Sequence, residues 1–424
     1  MIPWWINIDI CRHTIEHAED EIRAIASQHW DLIIGDMFYS PCSYVVYRLA
    51  LLKDSDNAAQ YISLSTSFFL HSALADFSVP RPVSEAISMN QDFDVTKFGD
   101  RLAYIFEWHL IEPAVMKTLG LIMRYTLSPM LDSSFSIANQ HRQATYIYSL
   151  YPPSVDSPRT RVRNTIQIGD VDCTKQFGKP KPLPDDLERF VSNRRSKGTI
   201  LAAFGHMVTW NSAPNATINA FYRAFKALKE YRIIWQYTGR PLTPLPNLRT
   251  MKWIPQPDLL GHNRTKVFVS HMGLKSVVEA ICYRVPVAAF PIFAEQTYNT
   301  LNLVTNAGGG VALNKFTITA EKMERKLREI LDNPSQSHKR SVSELANFMG
   351  DKIKPDLDVG AFWIEFALKH RKHMHILKDR ARLLSIVQYA MLDVIGFAIL
   401  FVIGMSLIFV KLICLTFTLC RTKG

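Results

Sequence analysis

A chain of 424 residues, 48% apolar and 21% charged, is too long for one ordinary domain and too apolar to be mainly disordered. Its 49 Lys and Arg against 38 Asp and Glu leave a net charge of +11. The densest basic run, Lys369–Arg382, adjoins a hydrophobic tail, which points to a membrane-proximal segment and away from nucleic acid.

In chain order, Met1-Ile-Pro-Trp-Trp-Ile has no basic n-region or long apolar h-region, and so does not read as a signal peptide. HWDLIIGD (His29–Asp36) reads as a short buried strand with an acid at its carboxyl end. Asp100–Met123 has helical amphipathicity. Pro152, Pro153 and Pro158, then GKPKPLPDD from Gly178 to Asp186, predict an extended linker, because Pro fixes φ and removes a donor.

Beyond the linker the rhythm becomes regular. Strand Thr199–Gly205 precedes a helix over Ala213–Lys229, then strand RIIWQY and strand Val267–Ser270. A helix from Gly273, strand VPVAAF and a helix from Glu295 follow. Such alternation predicts βαβ units and a parallel sheet covered on both faces. At the end, Val394–Val410 runs 17 residues without a charge. About 20 helical residues cross a bilayer, with Lys411 able to snorkel, so this segment is expected to anchor the chain.

Six widely spaced cysteines (Cys11, Cys42, Cys173, Cys282, Cys414, Cys420) contain no CxxC pair, which excludes a zinc ribbon and a small disulfide scaffold. Cys282 reads as a packing residue.

The chemistry concentrates between Trp253 and Asn299. A strand ending at His271, with Gly273 opening a helix, presents free backbone N–H groups and a positive dipole end to an anion such as a diphosphate. His271 and Ser276 add donors there. Glu279, two turns into the helix, is placed to accept from vicinal ribose hydroxyls. Trp253 offers a flat face to a base and Gln256 an amide to its edge. Glu295 and Gln296 follow the next strand, at the carboxyl edge where ligands bind open α/β sheets, and suit sugar hydroxyls. Taken singly, each has a plainer role: a Trp before Pro is more often core, and a Glu on a helix is more often solvated.

Together, W-x-P-Q-x-D-L-L-x-H, H-x-G-x-x-S-x-x-E-A and P-x-F-x-E-Q-x-x-N closely resemble the donor-binding signature of the UDP-glycosyltransferases, above all the membrane-bound animal UDP-glucuronosyltransferases. The likeness also includes DLIIGD, KPLPDDLERFV, GTILAAFGHMV, FWIEFALKHR and LDVIGF. It implies an α/β fold of two facing Rossmann-like domains (GT-B type), the amino-terminal one incomplete, plus a carboxy-terminal transmembrane helix. The implied division is a partial acceptor-binding domain over 1–177, a linker over 178–196 and a UDP-sugar-binding domain over 197–350. Return helices and a basic juxtamembrane segment over 351–385, an anchor over 390–420 and a tail over 421–424 complete it.

The implied activity is metal-free and needs no cofactor: inverting transfer of a hexose or glucuronic acid from UDP-glucose or UDP-glucuronic acid to a small lipophilic acceptor. By this resemblance Trp253 and Gln256 contact uracil and ribose, His271, Gly273 and Ser276 the diphosphate, Glu279 the ribose, and Glu295 and Gln296 the sugar. Asp36 matches the Asp that orients a catalytic His. That His is expected upstream of Met1, because His13, His17 and His29 read as helix-surface residues. The strand containing Asp36 would then lie at an open sheet edge.

Three departures stand out: His206 where the family usually has Ser, Arg284 at a turn that usually holds Gly, and Asn263 in an NRT sequon. The expected setting is the endoplasmic reticulum membrane, single-pass with a very short cytosolic tail, in a homo- or hetero-oligomer or as a monomer. The alternative is a catalytically inactive, membrane-anchored protein that binds UDP-sugar or pairs with relatives.

Overall fold

The structure, a computed structural model, describes residues 2–37, 40–53, 59–66, 93–157, 163–169, 173, 179–377, 384–389 and 391–421. Pro158 and Gly178 of the expected linker, the end of the basic run (378–382) and tail residues 422–424 lie outside the described residues.

Two parallel sheets organise the chain. The first has the order β1-β2-β3-β4, with β1 at Leu32–Asp36, β2 at Gln60–Ser65, β3 at Tyr146–Ser149 and β4 at Thr165–Gln167. β1 lies at the edge of this sheet among the described residues, as the resemblance implies. Ile34 is 49% exposed, so the strand is not the buried one its apolar centre suggests, because only one neighbouring strand covers it. The second has the order β10-β9-β8-β5-β6-β7: β5 Thr199–Ala203, β6 Arg232–Gln236, β7 Leu248–Met251, β8 Thr265–Ser270, β9 Val287–Ala289 and β10 Gly310–Ala312.

In β5, Ile200 and Ala202 enter one core and Leu201 and Ala203 the other. The two-residue period of a strand therefore needs an unbroken apolar run where both faces are covered. On one face lie α3 (Asn215–Ala227) and α5 (Ala320–Leu331). On the other lie α4 (Leu274–Cys282) and α6 (Ser337–Gly350). α3 buries Ile218, Phe221, Ala224 and Phe225, the spacing of one helical face. Thr319 starts α5 by accepting a bond from the Lys322 N–H at 3.2 Å.

The first sheet is covered by α2 (Pro41–Lys53) and by α1 (Ile2–Ser27), which is bent at Ala18. His13 and His17 lie exposed on α1 as expected, whereas His29 lies beyond its end. The amphipathic stretch is a helical run from Phe98 to Thr126, with a π-helical turn at Phe106–Ile111. Pro113 explains that turn: it lacks an N–H and crowds the carbonyl four residues back, so one wider turn lets the helix continue.

After the second sheet, α7 (Asp356–Lys369) returns to the first. The Tyr148 hydroxyl donates to the Gly360 carbonyl at 2.7 Å, and Trp363 packs edge-on to Tyr146. α8 (Leu392–Arg421) follows, and its Leu392–Ile413 stretch has a mean hydropathy of 2.5 with none of it buried, long and apolar enough to cross a membrane.

The role expected for Cys282 is corrected. It is disulfide-bonded to Cys173 across 109 positions of sequence, and a second disulfide, Cys11–Cys42, ties α1 to α2.

The second core is dominated by aromatic rings. Trp210 meets Trp235 at 4.8 Å and Phe221 at 5.2 Å, and Phe204 packs on Phe290. Replacing the fully buried Phe221 removes the ring shared by Phe204, Trp210, Trp235 and Phe290. Phe221→Ala is expected to lower stability by about 3–5 kcal/mol, read as a loss of denaturant midpoint in the purified chain.

Candidate functional site

The site begins where β8 ends. After Ser270 and His271 the backbone reverses at Met272, a fully buried side chain with φ +68. A non-glycine residue in this region is strained and persists only where its surroundings hold it. Two side chains do so: Ser270 Oγ accepts from the Met272 N–H at 3.0 Å, and Asn299 Nδ2 donates to the Met272 carbonyl at 2.7 Å.

Gly273 then begins α4 with no side chain capping it, so the first N–H groups of the helix are left to an incoming acceptor. The His271 ring is wedged between two glycines. A Cβ on Gly205 would lie 3.0 Å, and one on Gly273 2.6 Å, from His271 Nε2. Glycine is required here by close approach, and at Gly205 also by φ +68. Burial pushes His271 down to about 4, the Ala203 carbonyl opposing this and His206 adding to it. At pH 7 the ring is therefore neutral, with one N–H to donate.

One turn into α4, three predicted residues touch. Gln256 Nε2 donates to Ser276 Oγ at 3.2 Å and to Glu279 Oε2 at 2.5 Å. Both amide hydrogens are thus engaged and Oε1 remains as an acceptor. Glu279 is 5% exposed; burial raises its carboxyl, while Gln256 and Lys275 act the other way. Trp253 departs from the core role such a residue usually takes. It is 76% exposed, three residues before Gln256 in the chain.

Gln296 is 3% exposed, and its Oε1 accepts from the Ile292 and Phe293 N–H groups at 2.8 and 3.1 Å. Its amide hydrogens are left as donors. Glu295 precedes the short helix Gln296–Thr300, whose Asn299 holds Met272, so the sugar-binding candidates are joined to the His271 turn.

Asp36 is not part of this group; it ends β1 on the other sheet. There, burial first and the Asp36 charge in addition raise the Tyr44 and Tyr61 hydroxyls.

Sequence reading missed the contacts that bring the sheets together. Tyr298 donates to Asp156 at 2.5 Å, Ser157 to Asn302 at 2.8 Å, and Asn302 to Tyr151 at 3.1 Å. Their only sequence signal is proximity to the E-Q-x-x-N motif.

Residues 30–424 match the family described as "UDP-glucoronosyl and UDP-glucosyl transferase". The chain belongs to this family. A UDP-glucuronosyltransferase of Pleuronectes platessa is 36% identical over 240 residues, 56% of this chain and 49% of that protein. Human UDP-glucuronosyltransferase 1A1 is 28% identical over 402 residues, 90% of this chain and 68% of that protein. The match thus spans about half the length of the first relative.

Among solved structures, a UDP-glucose:anthocyanidin 3-O-glucosyltransferase in complex with UDP superposes with TM-score 0.55 at 17% identity, covering 85% of this chain and 80% of that one. The kitacinnamycin glycosyltransferase gives 0.53 at 15%, covering 84% and 80%. These likenesses establish the GT-B fold for this UDP-glycosyltransferase family member.

A diphosphate beside His271 favours the imidazolium and raises its pKa. Binding of UDP-glucose at mildly acidic pH, between about 4 and the ordinary imidazole value near 6.5, is therefore expected to take up a proton. Calorimetry in buffers of different ionisation enthalpy should record that uptake, and His271→Gln should abolish it. The sign for stability follows: the native state binds this proton less readily than the unfolded chain, so stability falls as pH drops from about 6.5 toward about 4.

Proposed function

We propose that this family member is an inverting glycosyltransferase that moves a hexose or glucuronic acid from a UDP-sugar to a hydroxyl of a small lipophilic acceptor. The observation that carries this reading is the bonded group Gln256–Ser276–Glu279 on the helix that starts beside His271. It combines an anion-binding helix start, a buried carboxylate for vicinal hydroxyls and an open acceptor for a base or ribose.

On this reading the α4 N–H groups and the neutral His271 hold the diphosphate, Glu279 takes the ribose hydroxyls, Trp253 stacks on uracil, and Glu295 with the Gln296 amide orients the sugar. The acceptor oxygen loses its proton to the His base that the family resemblance pairs with Asp36, and attacks the anomeric carbon. The bond from that carbon to the β-phosphate oxygen breaks with inversion, and UDP leaves. The leaving charge is met by helix amides and His271, so the reaction is proposed to need neither metal nor cofactor. Two disulfides fit an oxidising compartment. We place the body in the endoplasmic reticulum lumen, anchored by α8.

The test is transfer by membranes carrying this chain, supplied with UDP-glucuronic acid or UDP-glucose and phenolic acceptors. Product with inverted anomeric configuration, insensitive to chelators, is expected. Asp36→Ala should reduce turnover by about 10²–10⁴-fold if it orients the base, and Glu279→Ala should weaken donor binding by about 1–3 kcal/mol. Binding of UDP-glucose without transfer to any acceptor would overturn the enzyme reading and leave a UDP-sugar-binding protein.

A further inference from the structure

A polar cavity lies at the amino-terminal edge of the six-stranded sheet, opposite the His271 turn. Its volume is about 260 Å³, and Lys197, Lys266, Arg284, His338 and Lys339 line it, with no Asp or Glu in its wall among the described residues. Lys197 precedes β5, Lys266 lies near the start of β8 and Arg284 precedes β9. At roughly 3.3 Å per strand residue, Lys266 is about 16 Å from His271, so the cavity is distinct from the donor site.

Three observations say that this charge is only partly compensated. The carboxylates just outside the wall, Glu230 and Asp332, both pair with Arg328, at 2.8 and 3.5 Å, and among the described residues Lys197 is the one wall cation that feels the Glu230 charge. Burial, with Lys339 and Arg264 as like-charged neighbours, holds the Lys266 ammonium below its ordinary range. The Arg284 guanidinium meets only neutral acceptors, Asn347 Oδ1 at 2.9 Å and the Ser343 carbonyl at 3.4 Å.

The backbone adds a further sign. Arg284, at the turn where the family usually has Gly, has φ +58, and Gln336, also in the wall, has φ +49. Strained residues gathered at one cavity are characteristic of ligand sites. α6 begins at Ser337, so its positive end also faces this wall.

We propose that this cavity binds a phosphate-rich anion of diphosphate size, separately from the sugar donor. Four cationic side chains lining the cavity suit two adjacent phosphate groups, and the Tyr231, Asn333, Gln336 and His338 side chains add polar contacts. The same chemistry is offered by a free di- or polyphosphate and by a phosphorylated lipid headgroup.

The experiment is calorimetric titration of the purified full-length chain with inorganic pyrophosphate while UDP is held at saturation. One equivalent is expected to bind, more weakly as salt is raised. The double variant Lys266→Gln/Lys339→Gln should lose affinity by roughly tenfold or more, through loss of two charge-assisted contacts. Arg284→Gly, which suits the left-handed backbone, should show a smaller loss with a melting temperature raised and not lowered. Glu279→Ala, altered only at the donor site, should bind pyrophosphate as the parent does.

Repeating the titration in nanodiscs with and without phosphatidic acid separates the sources. Binding suppressed by the acidic lipid assigns a headgroup, and binding unaffected by it assigns a soluble phosphate. No pyrophosphate uptake by the UDP-saturated parent, or full affinity in the folded double variant, would overturn the proposal.

Discussion

Everything proposed for donor binding depends on one backbone reversal, at Met272. A fully buried methionine held at positive φ is an unfavourable conformation. It is maintained by hydrogen bonds on both sides, one from the preceding strand and one from the helix that carries Gln296. The reversal sends His271 between Gly205 and Gly273 and aims the start of α4 at the carboxyl edge of the sheet. On the proposed function, phosphate, ribose and sugar recognition are therefore not independent modules: Asn299 joins the helix carrying Gln296 to the Met272 turn, so a disturbance at either reaches the other.

The same helical segment also faces the first sheet. Tyr298 and Asn302 bond to Asp156, Ser157 and Tyr151, which follow β3. The disulfide from Cys173 enters the carboxyl end of α4, three residues beyond Glu279. Noncovalent and covalent ties thus meet on the elements that hold the donor-site candidates. In an enzyme whose acceptor and donor are held by different sheets, such ties limit how far the two can separate.

What the sequence revealed follows from periodicity and local spacing. The central strands of the second sheet were legible because TILAA and KVFVS need apolar residues on both faces. The edges were not: β7 reads LRTM and is largely half-exposed, and β10 is three residues long. The Gln256–Ser276–Glu279 group could be anticipated because two of its members lie one helical turn apart and the third belongs to a recurring motif. Arg284 was legible in the same way, its positive φ following from a position that usually holds Gly. Nothing local disclosed the left-handed Met272 or the partner of Cys282, since each is decided by residues distant in sequence. α1 lies outside the matched family stretch; its Ile8, Cys11, Ile15 and Ile22 pack into the first core, and the Cys11–Cys42 disulfide joins it to α2.

The return of α7 to the first sheet has a mechanical meaning. The hydrogen bond from Tyr148 to the Gly360 carbonyl and the packing of Trp363 on Tyr146 fasten the chain to that sheet shortly before α8 begins. With α8 in a bilayer, the short leash runs to the first sheet, proposed to hold the acceptor, and the second, proposed to hold the nucleotide, hangs farther along the covalent path. An oily substrate partitioned into lipid would then meet its sheet near the membrane plane, while a water-soluble nucleotide sugar would approach from the aqueous side. The tether would thus sort two reactants of opposite solubility before either is bound.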